Sequence, residues 1–343
     1  MLNSAELDEI IDRTDLAKEI SSAPILITGG TGFIGSWLVS VLNKMSDNSL
    51  LKNPIYVLTS DKAKAQRVFN HQNCKKIVIC TLEELKNQVL NKTVKGFGYV
   101  FHGATSTIYS LNDEKNDFKR TLNLTAEILD MIKISGSVPN FINLSSGAVY
   151  ETPSNYMKFL ETNSPITETS SLTLYGKLKL KMEQMVISAD SEGIVTGSNP
   201  RLFTFFGYGL PLNSHFAIGN FVQSAATKNQ IEINGSLQTV RSYLYITDLI
   251  TQLFSLLTKP TLNTLHIGGA IPITIGELAS QVSALFNDCP IITSNKDAQP
   301  NYYLPEVEKT EKYLGVSEKI SLAIGLKRWK DTLNFGNLNS QTN

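Results

Sequence analysis

PILITGGTGFIG, residues 24–35, sets four glycines directly behind an aliphatic run. The run is short and continuously apolar, the pattern of a strand covered on both faces. Beyond the turn, FIGSWLVSVLNKM at 33–45 has the character of a helix. Gly29, Gly32 and Gly35 form GxxGxxG, while Gly30, Gly32 and Gly35 also satisfy GxGxxG. Glycines at a strand-to-helix junction permit a tight turn, let backbone approach a pyrophosphate and let the helix lie close to the sheet. The helix N-terminus adds N–H donors and the positive end of a dipole. Residues 29–35, with Thr31, Phe33 and Ile34 between the glycines, are thus the predicted dinucleotide turn.

Working outward, apolar runs alternate with helical segments: PIYVLTS at 54–60, YVFHGA at 99–104, a long helix near 117–134, then FINLSS at 141–146. Such alternation predicts an α/β fold with a doubly wound, parallel, Rossmann-type sheet. After Pro200 the rhythm changes to RLFTFFGYGLPLNSHFAIGN, rich in glycine, proline and aromatics. The expected organisation is a helical arm over 1–23, a dinucleotide-binding domain over 24–200, and a smaller, mainly substrate-binding region over 201–343. In the arm, Leu7, Ile10, Ile11, Leu16 and Ile20 supply the apolar positions.

Lys plus Arg and Asp plus Glu both number 31, so overall charge gives no electrostatic case for nucleic acid or an anionic membrane as partner. The acidic N-terminal segment has no signal-peptide core, and no run of about 18 apolar residues is present. A cytoplasmic protein is expected. Cys74, Cys80 and Cys289 match no metal spacing and are expected as free, structural thiols; no metal is expected.

The second strand ends VLTSDKAKAQR, residues 57–67. An acidic residue at such a strand end hydrogen-bonds an adenosine ribose and excludes a 2′-phosphate. Here Thr59 and Ser60 take that place, Asp61 comes late, and Lys62, Lys64 and Arg67 follow. Hydroxyls with nearby cations favour NADP(H) over NAD(H); a solvated helix face is the plainer account of the lysines.

NLSSGAVY at 143–150 and YGKLK at 175–179 carry the chemistry. Tyr175 and Lys179 are i and i+4, so a helix puts phenol and ammonium on one face, where the cation is expected to lower the tyrosine pKa. That would make Tyr175 an acid or base near neutral pH.

Together these segments resemble the extended short-chain dehydrogenase/reductase family of nucleotide-sugar epimerases, dehydratases and reductases. The resemblance spans about residues 24–335 and continues in VFHGA at 100–104, PRLFTFFG at 200–207, VRSYLYITDL at 240–249 and LPEVEKTEKYLG at 304–315. It implies that Ser146 hydrogen-bonds the sugar oxygen, Tyr175 exchanges a proton there, and Lys179 bonds the nicotinamide ribose. It implies cofactor contacts from the glycine turn, from Thr59 and Ser60, and from His102, Gly103 and Ala104. Arg241 is implied on the nucleotide diphosphate, where a guanidinium suits paired phosphate oxygens; Thr204, His215 and Asn220 are implied on the substrate, with Phe216 in the same covering loop. The helices near 117–134 and 174–189 resemble those that pair in family homodimers, through positions such as Leu124, Ile128 and Met131; packing onto the sheet is the alternative.

Departures narrow the reaction. Family members that eliminate water carry an Asp-Glu pair after the catalytic hydroxyl, and decarboxylases a Glu there; this chain has Gly147 and Ala148. The expected activity is therefore NAD(P)H-dependent reduction of the C4 ketone of a nucleotide-activated 4-keto-6-deoxyhexose, such as dTDP-4-dehydro-6-deoxy-D-glucose, serving surface polysaccharide synthesis. A nucleotide-sugar 4-epimerase retaining NAD is the alternative, and a non-catalytic dinucleotide sensor a third.

Overall fold

A computed structural model of the chain describes residues 2–14, 20, 23–69, 76–105, 114–151, 158–159, 172–212, 216–294 and 298–333. Strands β1 (Ile25–Thr28), β2 (Ile55–Leu58), β3 (Ile77–Cys80), β4 (Tyr99–His102) and β5 (Asn140–Asn143) precede the short β6 (Ser145–Ser146) and then β7 (Thr196–Ser198). Six of them form one sheet in the order β3-β2-β1-β4-β5-β7, parallel throughout. The order reverses between β1 and β4, which opens a crevice at the carboxyl ends of those strands, the place where such sheets bind ligands.

Helices α1 (Ser4–Asp12), α2 (Phe33–Asp47), α3 (Lys62–Phe69), α4 (Leu82–Leu90), α5 (Glu114–Ser135) and α6 (Leu174–Ser191) accompany this sheet. Alternate strand residues enter separate cores: Ile25, Ile27, Val57 and Phe101 one, Leu26, Tyr56, Leu58 and Val100 the other. Both sheet faces are thus covered, which accounts for the unbroken apolar runs. Ile128 and Met131 of α5 are buried in the second core; these two expected dimer-face positions pack onto the sheet of their own chain.

The remainder comprises β8 (Arg201–Leu202), β9 (Phe205–Phe206), α7 (Ala217–Lys228), β10 (Ile231–Ile233), β11 (Val240–Ser242), β12 (Leu244–Tyr245), α8 (Ile246–Thr258), β13 (His266–Ile267), β14 (Pro272–Thr274), α9 (Ile275–Leu285), β15 (Ile291–Thr293), β16 (Tyr302–Tyr303), α10 (Glu308–Leu314) and α11 (Leu322–Thr332). β8 lies between β6 and β13, and β11 pairs antiparallel with β14 and parallel with β16. These small sheets bring the C-terminal segments over the crevice. The arm helix α1 packs on α2 and α8, where Glu6 accepts a 2.7 Å hydrogen bond from the Tyr245 hydroxyl and Arg13 pairs with Asp248 at 2.6 Å.

Among the described residues no helix is long and apolar enough to cross a membrane, and no cluster of metal-ligating side chains occurs. Cys80 and Cys289 are free and buried, while Cys74 lies outside the described residues.

Candidate active site

A cleft of about 1510 Å³ runs between the glycine turn and the C-terminal segments. Its volume exceeds the roughly 300–1,000 Å³ of a pocket for one small ligand, so it has space for two. Thr31, Gly32, Phe33, Ile34 and Gly35 line one part; Ser146, Tyr175, Lys179, Thr204, Asn220 and Arg241 line the rest, with Phe216 beside them.

The turn is built for close approach. Gly29 has φ +71°, and a Cβ on Gly35 would stand 2.2 Å from the Gly29 carbonyl oxygen. Gly32 caps α2 without any side-chain hydrogen bond, which leaves first-turn N–H groups for an anion. The residues present therefore fit a dinucleotide, whose phosphates the α2 N-terminus would hold. Gly30 serves packing, since a Cβ there would meet the Val57 side chain at 2.7 Å.

His102 does not face the cleft. Its ring is fully buried, Nδ1 lying 2.9 Å from Thr28 Oγ1 and Nε2 2.9 Å from Thr125 Oγ1. Burial, then the neighbouring Lys179 charge, press its pKa down to about 3, so it is a neutral clamp between β1, β4 and α5 and not a cofactor contact. Thr28 Oγ1 also accepts from the backbone N–H groups of Gly103 and Ala104 at 3.1 Å each, fixing the loop after β4. At the end of β2, Thr59 and Ser60 precede a capping arrangement: Asp61 N donates to Thr59 Oγ1 at 3.1 Å and Asp61 Oδ1 accepts from Lys64 N at 2.8 Å. Lys62 pairs with Glu84 at 2.6 Å, and Lys64 lines the cleft.

Helix α6 is aimed by its own start. Thr173 Oγ1 accepts from Gly176 N at 3.1 Å, and a Cβ on Gly176 would lie 2.2 Å from the Ala148 carbonyl oxygen. Only glycine lets the helix press against the turn that follows β6. Tyr175 thereby faces the same cleft as Ser146. Burial raises the Tyr175 pKa to about 12, and the nearby Ser146 hydroxyl opposes the rise.

Lys179 differs from the sequence-based expectation. Its Nζ is 5.6 Å from the Tyr175 ring centre and donates to the Leu144 carbonyl at 2.6 Å and Thr105 Oγ1 at 2.9 Å. Burial lowers its pKa to about 7, with Glu183 opposing. Desolvation, rather than the lysine, governs Tyr175 and keeps it a neutral phenol.

Four residues beyond Lys179, Glu183 anchors a network that the motifs did not reveal. Arg201 holds it bidentately, Nε to Oε1 at 3.0 Å and Nη2 to Oε2 at 2.8 Å, and Ser145 Oγ donates to Oε1 at 2.5 Å. Arg201 also donates to the Tyr150 hydroxyl, which lies 2.8 Å from His266 Nε2. The i, i+4, i+8 spacing of Tyr175, Lys179 and Glu183 was the available signal for the carboxylate. Arg241 is held through Val240 O at 2.8 Å and Asn301 Oδ1 at 2.5 Å. Its guanidinium also lies over the Tyr303 ring and lines the cleft. His215 lies outside the described residues.

A parallel sheet with its glycine turn at the switch point, and a Ser/Tyr/Lys set across the cleft, define a dinucleotide-binding enzyme fold. The chain belongs to the NAD dependent epimerase/dehydratase family, whose model matches residues 25–268. Its curated relatives include UDP-glucuronic acid decarboxylase 4 of Arabidopsis thaliana, 23% identical over 88% of this chain and 66% of the relative. UDP-glucuronic acid decarboxylase 1 of the same plant is 24% identical over 89% and 68%. The chain thus spans about two thirds of the length of these relatives. Among solved structures, an epimerase of Methanothermobacter thermautotrophicus superposes with TM-score 0.78 at 20% identity, covering 96% of this chain and 97% of that one. UDP-glucose 4-epimerase of Thermotoga maritima, solved with UDP-glucose, gives 0.74 at 21%, covering 93% and 100%.

Proposed function

We propose that the protein reduces the C4 ketone of a nucleotide-activated 4-keto-6-deoxyhexose. One observation carries this reading: Tyr175, Ser146 and Lys179 line one cleft with the glycine turn, where desolvation holds the half-buried Tyr175 phenol protonated, its pKa pushed up to about 12. A ketone that accepts a hydride needs a proton at its oxygen, and a neutral phenol is already in the donating form. A bound nicotinamide dinucleotide supplies the hydride. Tyr175 gives its proton to O4, Ser146 orients that oxygen, Lys179 holds the loop at Thr105 and the Leu144 carbonyl, and Arg241 takes the diphosphate.

Elimination or decarboxylation calls for an acid or base beyond this set. Gly147 and Ala148 supply none, and Glu232, the carboxylate among the described lining residues, is engaged by Gln230 and Lys228. The decarboxylase names of the relatives are accordingly not carried over.

Lys64 at the cleft favours NADP(H); the family's NAD dependence and the pairing of Lys62 with Glu84 favour NAD(H). The second reading is a 4-epimerase, favoured by the likeness to UDP-glucose 4-epimerase. The test is direct. Oxidation of added NADH or NADPH only when a nucleotide-linked 4-keto-6-deoxyhexose is present supports the reductase; co-purifying dinucleotide with interconversion of C4 epimers and no net cofactor consumption replaces it with the epimerase.

A further inference from the structure

Ser146 stands where the chain has left the main sheet. Strand β6 has two residues and pairs with β8 in a separate small sheet, Ser145 opposite Arg201 and Ser146 opposite Leu202. So short a strand makes few ladder hydrogen bonds, Ser145 N to the Pro200 carbonyl at 3.0 Å being one, and its pose depends on the side chains that hold it. Helix α6 supplies three holds. Gly176 lies against the Ala148 carbonyl oxygen, where a Cβ would stand at 2.2 Å; Lys179 Nζ donates to the Leu144 carbonyl at 2.6 Å; Glu183 Oε1 accepts from Ser145 Oγ at 2.5 Å. Spacings of three and four residues put all three on one face of the helix.

The far flank of the same turn is held through Arg201. This guanidinium grips Glu183 with Nε at 3.0 Å and Nη2 at 2.8 Å, and its Nη1 donates to the Tyr150 hydroxyl. The hydroxyl lies 2.8 Å from His266 Nε2, and His266 Nδ1 lies 3.1 Å from the Glu306 carbonyl oxygen. Burial keeps the imidazole neutral. A carbonyl oxygen only accepts, so Nδ1 carries the hydrogen and Nε2 takes one from Tyr150. Each bond then has one direction: Tyr150 donates to His266 and accepts from Arg201, while Glu183 accepts from Arg201 and from Ser145. With the Arg201 and Glu183 side chains only 6% and 4% exposed, little water competes for these bonds, and the network is stiff.

We infer that Glu183 and Arg201 are positioning residues: one through Ser145 and the other through Tyr150, they fix both flanks of the turn that presents Ser146 and dock it on α6, the helix of Tyr175 and Lys179. Neither lines the cleft. They act by setting the separation between a hydroxyl on one element and a phenol on another. A buried ion pair adds little net stability over apolar packing. Holding the Ser146 turn gives this one a use at its place beneath the cleft. The kinetic consequence rests on the reductase reading; the placement of Ser146 does not.

Two variants of the full-length protein cut the flanks and spare the ion pair. Ser145→Ala removes the hydroxyl bonded to Glu183, and Tyr150→Phe removes the one bonded to Arg201 while its ring stays stacked on Phe159, 4.8 Å away between centroids. In the ketone-reduction assay each should lower kcat about tenfold, the scale of one lost hydrogen bond to a charged group, with KM for dinucleotide and nucleotide sugar close to wild type. In a Ser146→Ala background neither should cost anything further, because the effect runs through that hydroxyl. A merely structural network would move the urea midpoint and leave this coupling at zero. Unchanged kcat in both variants, or an equal loss with and without Ser146, overturns the inference. Crystal structures of wild type and Ser145→Ala decide the placement without turnover: Ser146 Oγ should shift relative to the Tyr175 hydroxyl by more than about 0.5 Å, and an unmoved Ser146 also overturns it. Wild-type protein inert toward every 4-keto sugar defeats the reaction assignment instead, and the crystal comparison then decides the positioning role.

Discussion

Tyr175 and Lys179 stand one helical turn apart on α6, yet the ammonium turns to the Leu144 carbonyl at 2.6 Å while the phenol lies in the cleft with Ser146. The two side chains face the same cleft. On the proposed reading their roles separate: Tyr175 moves a proton, and Lys179 holds the loop after β4 and the strand end at Leu144.

Tyr175→Phe should lower turnover by about a hundredfold to ten-thousandfold, the usual worth of a positioned acid, while dinucleotide affinity measured by calorimetry stays close to wild type. Lys179→Met should reduce both, because it strips donors from Thr105 and Leu144 at the edge of the dinucleotide cleft. Equal losses of cofactor affinity in the two variants would contradict this division.

Glu183→Ala should unfold at lower urea. Breaking a buried ion pair by removing one partner costs about 3–5 kcal/mol, because Arg201 is left charged and unpaired. Ser145 loses the same acceptor, so the adjacent Ser146 should loosen as well. A urea midpoint within error of wild type would show that Arg201 is satisfied by Tyr150 alone.

Gly35→Ala should abolish tight dinucleotide binding. Its Cβ would collide with the Gly29 carbonyl at 2.2 Å, forcing the turn open at a strain of about 1–3 kcal/mol. Fluorescence titration with NADH and NADPH should show at least tenfold weaker binding of whichever cofactor the wild type prefers.

Arg241→Lys should raise the KM for nucleotide sugar almost as much as Arg241→Ala, about tenfold, since an ammonium lacks the planar fork that pairs two phosphate oxygens. Cofactor KM should be unaffected. Full rescue by lysine would mean that charge alone is used.

Acid should destabilise the fold through two histidines. His102 and His266 are held neutral, both down to about 3 from 6.5, burial being the first cause and Lys179 or Arg201 the second. Below about 6.5 the unfolded chain binds protons that the native protein refuses, so stability rises with pH and is fully present above that value. Between 6.5 and 3 each histidine should withdraw about 1.4 kcal/mol per pH unit. Urea midpoints across this range should fall with acid, and His102→Gln should flatten the slope.

Much of the architecture was legible in short stretches. Strand, glycine turn and helix over residues 24–45 are neighbours in sequence, and their chemistry is set by backbone geometry that glycine and β-branched residues dictate locally. The pairing of Tyr175 with Lys179 on one helix face followed from the same periodicity. The motif around His102 implies a cofactor contact, but alternation along β4 turns its ring into the core, between Thr28 and Thr125. Arg201 lay within a quoted motif, yet its role depends on Glu183, which only the docking of α6 against β8 brings within reach.

The chain's own order of residues determined the dinucleotide turn, the alternating parallel sheet and the Ser146, Tyr175 and Lys179 set, because each depends on spacing along a strand or helix. The tertiary structure alone decided that desolvation raises the Tyr175 pKa and lowers that of Lys179, and that Arg201 closes on Glu183 in the core. Desolvation and close approach depend on what lies opposite in space, and no local pattern records that.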